Sequence, residues 1–315
     1  MSNQAMQATR DAYGDALKEF GAEHDFLVLD ADLSKSTKTS VFQQAFPSRF
    51  INCGIAESNM MGVAAGIAAT GRVAFASTFA MFAAGRAYDV VRNGIGYPSL
   101  NVKIAATHAG ISVGEDGATH QCIEDIALMR AIPGMVVLCP ADGPSTRAAV
   151  RASIEHKGPV YLRLGRLAVP TLYEPDAPFA IGQGVVLREG EDVTLVACGM
   201  MVSVALAAAE ALEKQGVGAS VVDMHTIKPI DDDLLVSFAR RTGAIVTVEE
   251  HNVLGGLGGA VTESLADKAC VPVVRVGVED VFGRSGSAQS LLEHFGLTAG
   301  AVEEAAARAI SQKRG

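Results

Sequence analysis

Short apolar runs and longer amphipathic stretches alternate along the first half of the chain. The short runs are rich in β-branched residues, whereas the longer stretches carry apolar residues at helical spacing. The predicted strands lie at 26–29, 73–75, 102–105, 135–138 and 160–162, and the predicted helices near 5–20, 56–70, 82–95, 122–131 and 143–156. Such alternation is typical of a parallel sheet with helices on both faces, so we predict an α/β fold.

A second alternating set follows a stretch of different character. Residues 167–189 contain Pro170, Pro175 and Pro178 with little periodicity, which indicates a linker. Beyond it, strands are predicted at 193–198, 218–223, 244–249 and 272–277, with helices near 201–215, 231–240, 257–269 and 299–311. We therefore predict two doubly wound α/β domains, residues 1–166 and 190–315, joined by the linker 167–189.

Composition narrows the class of protein. The 315 residues are 49% hydrophobic with a net charge of −9, and no Lys/Arg-rich stripe offsets this acidity, so we expect no nucleic-acid binding. The five cysteines are scattered without a C-x-x-C spacing, which favours free thiols in a reducing compartment. The N-terminus lacks a basic start followed by an apolar core, and we expect a cytoplasmic protein with no membrane association.

Glu57 is an acidic residue beside an apolar segment, residues 60–69, which is too short to cross a bilayer. An ionised carboxylate buried there would cost several kcal/mol unless it were paired, protonated or bound to a ligand. The alternative is that Glu57 lies in the first turn of a helix, where the helix dipole favours acids and the side chain stays hydrated. This segment alone leaves both interpretations open.

Polar residues cluster at the ends of the predicted strands, where doubly wound sheets bind ligands. They are Asp30, Asp32, Ser34 and Ser36, then Ser77 and Thr78, which the aromatic residue Phe79 follows, then Thr107 and His108, and finally Arg163 and Arg166. The loop after His108 adds Glu115, Asp116 and His120 among glycines, which let the backbone approach a ligand. Histidine and carboxylate side chains can orient sugar hydroxyls, although a solvated turn would have the same composition.

Four motifs carry a family resemblance in their order and spacing. They are Gly54-Ile-Ala-Glu-Ser-Asn-Met60, Ser77-Thr-Phe-Ala-Met-Phe82, Thr107-His108 through Gly114-Glu-Asp-Gly-Ala-Thr-His-Gln121, and Thr226-Ile-Lys-Pro-Ile-Asp231. Together they resemble the C-terminal half of a transketolase, a thiamine diphosphate-dependent enzyme. The resemblance implies a pyrimidine-binding domain over residues 1–166 and the family's C-terminal domain, with a mixed sheet, over residues 190–315.

The resemblance assigns a cofactor site. It implies that Glu57 is the catalytic glutamate, which hydrogen-bonds N1′ of the thiamine aminopyrimidine and promotes the imino tautomer that activates the cofactor. Phe79 and Phe82 match the aromatic residues that wall the aminopyrimidine ring. The position that holds a third aromatic residue in the family is Gly85 here, and Tyr88 one turn further is a candidate to fill that space.

The resemblance also assigns a substrate site. Arg10, Ser36, His108 and Arg166 match the residues that hold the sugar phosphate, and Asp116 matches the residue that reads the C2-hydroxyl region of the donor. His120 matches a catalytic residue in contact with the transferred two-carbon unit. Deoxyxylulose-phosphate synthase shares two of these motifs but typically carries arginine where this chain has His108, which favours transketolase.

The family's metal and diphosphate motif, Gly-Asp-Gly with a distant Asn, is absent from the sequence. The resemblance therefore implies a separate N-terminal-type subunit that binds the diphosphate of thiamine diphosphate and a divalent cation such as Mg²⁺. It also implies self-association of this chain within a heterotetramer. The alternatives are a deoxyxylulose-phosphate synthase-like subunit, a 2-oxo-acid dehydrogenase β-type subunit, and a non-catalytic assembly subunit.

Overall fold

The structure is a computed structural model that describes residues 5–313. Its strands are β1 (Met6–Ala8), β2 (Phe26–Asp30), β3 (Phe50–Asn52), β4 (Val73–Phe79), β5 (Val102–Thr107), β6 (Val136–Leu138), β7 (Val160–Arg163), β8 (Ala168–Pro170), β9 (Val185–Arg188), β10 (Val193–Ala197), β11 (Ala219–Asp223), β12 (Thr226–Lys228), β13 (Ile245–Asn252) and β14 (Val273–Val278). Its α-helices are α1 (Thr9–Gly21), α2 (Ser34–Thr37), α3 (Ser40–Ala45), α4 (Glu57–Ala69), α5 (Tyr88–Val90), α6 (Asp125–Arg130), α7 (Gly143–Glu155), α8 (Met201–Lys214), α9 (Asp232–Thr242), α10 (Leu257–Leu265), α11 (Ala288–His294) and α12 (Ala299–Ser311).

The first half forms a seven-stranded sheet in the order β12-β6-β7-β5-β4-β2-β3. All neighbouring strands are parallel except β12, which pairs antiparallel with β6. Every residue of β2 and β5 is buried, which explains why both strands are nearly continuous apolar runs in the sequence. The parallel α/β sheet predicted for this half is confirmed, and β12, which comes from the second half, extends its edge.

The second half forms a five-stranded sheet in the order β14-β13-β10-β11-β9. Its strands are parallel except for β9, which pairs antiparallel with β11, so the predicted mixed sheet is confirmed. The amphipathic helices α8 and α12 bury their alanine-rich faces in one core cluster together with β10, β11, β13 and β14.

The predicted helix near 5–20 and the predicted linker 167–189 both contain extended segments. Met6–Ala8 forms β1 and pairs antiparallel with β8, and β9 joins the second sheet. Three-residue strands have too few positions to show a period, so their pairing is decided by tertiary contacts. The boundaries of the two domains and the linker stay predictions from sequence.

The predicted helix near 82–95 is irregular. Two π-helical segments, Phe82–Arg86 and Val91–Gly96, flank the short helix α5. Such segments insert an extra residue into a helical turn and are frequent at functional sites. Within residues 5–313, no helix is long and apolar enough to span a membrane.

Candidate active site

Glu57 is the first residue of α4, which follows a turn at the end of β3. Gly54 makes this turn with φ of +67°, a conformation that favours glycine. The Glu57 side chain is only 2% exposed, and Arg86 Nη1 donates to both carboxylate oxygens at 2.9 Å. Glu57 lies in the first turn of a helix, as the alternative stated, but its carboxylate is buried and paired, so the expectation of a hydrated side chain is wrong.

Two phenylalanines lie beside this ion pair. Phe79 ends β4 and Phe82 begins the first π-helical segment, and their rings stack with centroids 5.7 Å apart at 11°. The Arg86 guanidinium carbon lies 4.5 Å from the Phe82 centroid. Arg86 therefore connects Glu57 to the exposed end of the aromatic stack.

The space at Gly85 is filled by a methionine side chain and not by Tyr88. A Cβ added at Gly85 would collide with Met81 Cε, so the Met81 side chain occupies this position. Tyr88 donates its hydroxyl to the Leu128 carbonyl at 3.2 Å, and the group that lies over Phe82 is the Arg86 guanidinium. The idea that Tyr88 replaces the missing aromatic residue stays a prediction without a supporting contact.

His108 lies at the end of β5 in the left-handed region, with φ of +56°. Its ring stacks on Phe79 at 3.8 Å, and Nε2 accepts from Arg10 Nη1 at 2.9 Å. Because arginine can only donate, the ring hydrogen is on Nδ1, which lies 2.9 Å from Thr107 Oγ1. Burial, followed by the charge of Arg10, lowers the pKa of His108 to about 3, so the ring is neutral at physiological pH.

Two arginines bring positive charge to His108. Arg10, in the first turn of α1, also donates to the Ser36 carbonyl at 3.3 Å, and burial lowers its pKa. Arg166 lies 3.6 Å from Glu115 Oε2, donates to the Val113 carbonyl, and also lowers the pKa of His108. Because both arginines are already charged, this site can bind an anion without His108 first gaining a proton.

The glycine-rich loop that follows His108 places His120 beside the phenylalanines and Asp116 on the surface. The His120 ring is edge-on to Phe82 at 5.3 Å, and its Nδ1 lies 2.9 Å from Thr119 Oγ1. Asp116 is exposed on the turn between Gly114 and Gly117, both of which have positive φ. The structure thus brings eight of the nine predicted residues around one strand edge and leaves the Asp116 side chain on the surface: Arg10, Ser36, Glu57, Phe79, Phe82, His108, His120 and Arg166.

The second half of the chain holds this loop in place, which the sequence does not indicate. Glu250, at the end of β13, accepts from the Ser112 backbone N–H at 2.6 Å, and a Cβ added at Gly110 would collide with its carboxylate. Gln121 Nε2 donates to the Gly114 carbonyl at 3.2 Å and to the Arg284 carbonyl at 2.9 Å. The Ser112–Glu250 contact spans 138 residues of sequence, beyond any local pattern.

Arg163 was among the strand-end residues, but the structure gives it a structural role. Its guanidinium is buried and donates to Asp125 Oδ2 and to the Glu250 carbonyl, each at 2.9 Å. Arg86, by contrast, belongs to the site but was not predicted from the sequence. Its spacing of four from Phe82 is a weak helical signal, whereas its partner Glu57 is 29 residues away.

The fold and the site define a class of protein: an α/β chain with a buried carboxylate, stacked phenyl rings and two arginines at the carboxyl edge of a parallel sheet. Comparison with known proteins agrees with this class. The transketolase pyrimidine-binding domain matches residues 5–171, and the transketolase C-terminal domain matches residues 182–302. The chain belongs to the transketolase family.

Two relatives and one solved structure that match this chain along nearly its whole length are partial transketolase chains. A protein of Methanocaldococcus jannaschii named as a transketolase C-terminal section is 51% identical over 91% of this chain and 92% of its own length. The 6-deoxy-6-sulfo-D-fructose transketolase subunit SqwH of Clostridium sp. is 44% identical over 96% of this chain and 95% of its own length. A solved structure entitled "Split gene transketolase, inactive beta4 tetramer" is 58% identical and covers 98% of this chain and 99% of its own, with a TM-score of 0.92. The chain is thus similar to split transketolase subunits along nearly its whole length.

Proposed function

We propose that the chain is the pyrimidine-binding subunit of a thiamine diphosphate-dependent transketolase that moves a two-carbon ketol unit from a ketose phosphate to an aldose phosphate. The observation that carries this proposal is the buried Glu57 carboxylate beside the stacked rings of Phe79 and Phe82. The family of the chain and the names of its relatives support the same reaction.

The described residues fit an aminopyrimidine. A flat heteroaromatic ring needs an apolar face to stack on and an acceptor at its edge, and Phe82 and Glu57 offer these two groups side by side. When bound, thiamine diphosphate supplies the nucleophilic carbon that attacks a ketose carbonyl. Glu57 would share a proton with N1′ of the aminopyrimidine, and Phe79 and Phe82 would fix the plane of the ring.

The residues around His108 suit a phosphorylated sugar. Arg10 and Arg166 supply permanent positive charge, and arginine is the side chain that best matches the geometry of a phosphate. Neutral His108 can accept a hydrogen bond from a substrate hydroxyl at Nε2 if Arg10 turns toward the anion. Ser36 and Asp116 stay in this proposal as residues that contact substrate, and His120 is placed to reach the transferred unit beside Phe82.

A separate subunit completes the site in this proposal. Among residues 5–313, no three His, Cys, Asp or Glu side chains are grouped to hold a metal ion. We therefore assign Mg²⁺ and the cofactor diphosphate to a partner subunit that carries the diphosphate-binding domain. Two copies of each subunit would form a heterotetramer, with this chain self-associating near Glu57. The neighbouring structure is titled a tetramer of one chain type and inactive, which agrees with a need for a second type.

Reconstitution tests the proposal. This chain, mixed with the partner subunit, thiamine diphosphate and Mg²⁺, is expected to transfer a ketol unit between sugar phosphates, whereas either chain alone is inactive. Glu57→Gln in the same mixture should lose at least a hundredfold in turnover, since removing a positioned proton-transfer partner typically costs 10²–10⁴-fold. Turnover by this chain alone, or near-normal transfer by Glu57→Gln, would contradict the proposal and favour an assembly role.

A further inference from the structure

Arg86 covers the carboxylate that the proposed reaction needs. Glu57 is 2% exposed and both of its oxygens accept from Arg86 Nη1, whereas the Arg86 side chain is 51% exposed. A ligand can reach a carboxylate this deeply buried only if a neighbouring group moves. Arg86 is the neighbour best able to move, because half of its surface already faces solvent.

The Arg86 guanidinium resembles an aminopyrimidine in its shape and in its contacts. It is flat, carries N–H donors, bonds the Glu57 carboxylate at one edge and lies over the Phe82 ring at 4.5 Å. An aminopyrimidine that carries a proton on N1′, as in its imino tautomer, would make the same two contacts, one N–H···O bond to Glu57 and one stacking contact with Phe82. The two groups therefore compete for one position.

The Arg86 backbone is held in place, which leaves the side chain as the part that can move. Arg86 is the last residue of the π-helical segment Phe82–Arg86, and its own carbonyl accepts from Ser58 Oγ at 3.2 Å. The backbone is thus tied to α4 while the side chain reaches back to Glu57 from the solvent side. Rotation of the side chain alone would open the position without disturbing the helix.

We propose that Arg86 is a place-holder: its guanidinium fills the position between Glu57 and Phe82 and must leave when the aminopyrimidine of the cofactor binds. This inference rests on the proposed function and adds a regulatory contact to the same site. Arg86 keeps the buried carboxylate neutralised until the cofactor replaces it, which limits exposure of an unpaired charge. The arginine therefore slows and weakens cofactor binding while it stabilises the subunit.

The protection of the Glu57 carboxylate by Arg86 is tested on the isolated chain. The chain is labelled with a water-soluble carbodiimide and glycine ethyl ester, and the Glu57 peptide is analysed by mass spectrometry. We expect labelling of Glu57 to be at least tenfold faster in Arg86→Ala than in the natural chain. Arg86→Lys, which keeps the charge but not the flat group, should give an intermediate rate. Arg92→Ala is the matched control, because Arg92 lies on the same irregular helix and is exposed, with a hydrogen bond to Asn93.

Cofactor binding is tested on the reconstituted pair of subunits by calorimetric titration with thiamine diphosphate at saturating Mg²⁺. Loss of a half-exposed ion pair and a cation–π contact predicts about fivefold tighter binding for Arg86→Ala and no change for Arg92→Ala. Glu57 labelling and cofactor affinity equal to those of the natural chain, in both Arg86 variants, would overturn the proposal. That result together with an inactive Glu57→Gln pair would refute only the place-holder, whereas an active Glu57→Gln pair would refute the proposed function itself.

Discussion

The buried ion pair between Arg163 and Asp125, with the Glu250 carbonyl as a further partner of Arg163, offers a quantitative test of how much a buried charge pair stabilises the fold. Asp125 is fully buried and Arg163 is 5% exposed. Arg163→Met removes the donor at 2.9 Å from Asp125 Oδ2 and leaves that oxygen with only the Tyr161 hydroxyl at 2.8 Å. It also removes the donor to the Glu250 carbonyl.

Removing one partner of a buried pair costs about 3–5 kcal/mol because the remaining charge is uncompensated. We expect Arg163→Met to lower the free energy of unfolding by this amount. The measurement is urea unfolding followed by circular dichroism, since the chain has no tryptophan. In the Asp125→Asn background the same substitution should cost at least 1 kcal/mol less, because no charge is left behind.

Tyr161→Phe is the matched control, since it removes one neutral donor to the same Asp125 oxygen and should cost about 1 kcal/mol. A loss below 1 kcal/mol for Arg163→Met would refute the reasoning. So would strictly additive losses in the double variant, because they would mean that the two charges do not depend on each other.

Three further predictions concern the loop, the second sheet and the phosphate site. Gly110→Ala should lower turnover of the reconstituted pair with little change in subunit assembly. Gly110 has a φ of +80°, and an added Cβ would collide with the Glu250 carboxylate. Unaltered turnover would count against a positioning role for Glu250. Burial raises the pKa of Asp223 to about 7, against an opposing hydrogen bond from Tyr173. Between about pH 4 and 7 the folded state binds the proton and the unfolded state does not, so stability falls as pH rises through this window, by up to about 1.4 kcal/mol per pH unit. Asp223→Asn should flatten that slope in urea unfolding, and parallel pH profiles would contradict it. Arg166→Ala should raise KM for a phosphorylated ketose about tenfold or more while leaving the non-phosphorylated sugar unchanged, and an equal effect on both sugars would remove Arg166 from the phosphate site.

The parts of the fold that follow from sequence are those with long, regular patterns. The buried strands β2, β4 and β5 and the helices α4 and α7 lie within a few residues of the predicted positions. The strands β1, β3, β8, β9 and β12 were not predicted. Unlike β6, which lies in a continuous apolar run, the short strands β1, β8 and β12 contain polar residues or proline, and their partners lie far away in the sequence.

The residues of the site also differ in how far they could be predicted from sequence. Glu57 and Phe82 were predicted from motifs, because each motif is contiguous and its residue order is informative. Arg86 and Glu250 were missed, since each acts through a partner 29 or 138 residues away and neither belongs to a contiguous motif. The motifs predicted the residues that the proposed function assigns to cofactor and substrate. They did not predict Arg86, which pairs with Glu57, or Glu250, which bonds the Ser112 backbone.

The second half of the chain has a direct part in shaping the site. Glu250 fixes the Ser112 backbone, and the Arg284 carbonyl accepts from Gln121, so the loop that carries His120 is held from both ends by residues of the second half. Strand β12 adds to this by joining the edge of the first sheet. A loop of many glycines has a large conformational entropy to lose, and contacts from a separate sheet can restrict it before any ligand binds. Gln121→Ala in the full chain would therefore keep Glu57 and the phenylalanines in place but loosen the restraint on His120, so its defect should appear in transfer to the sugar more than in cofactor binding.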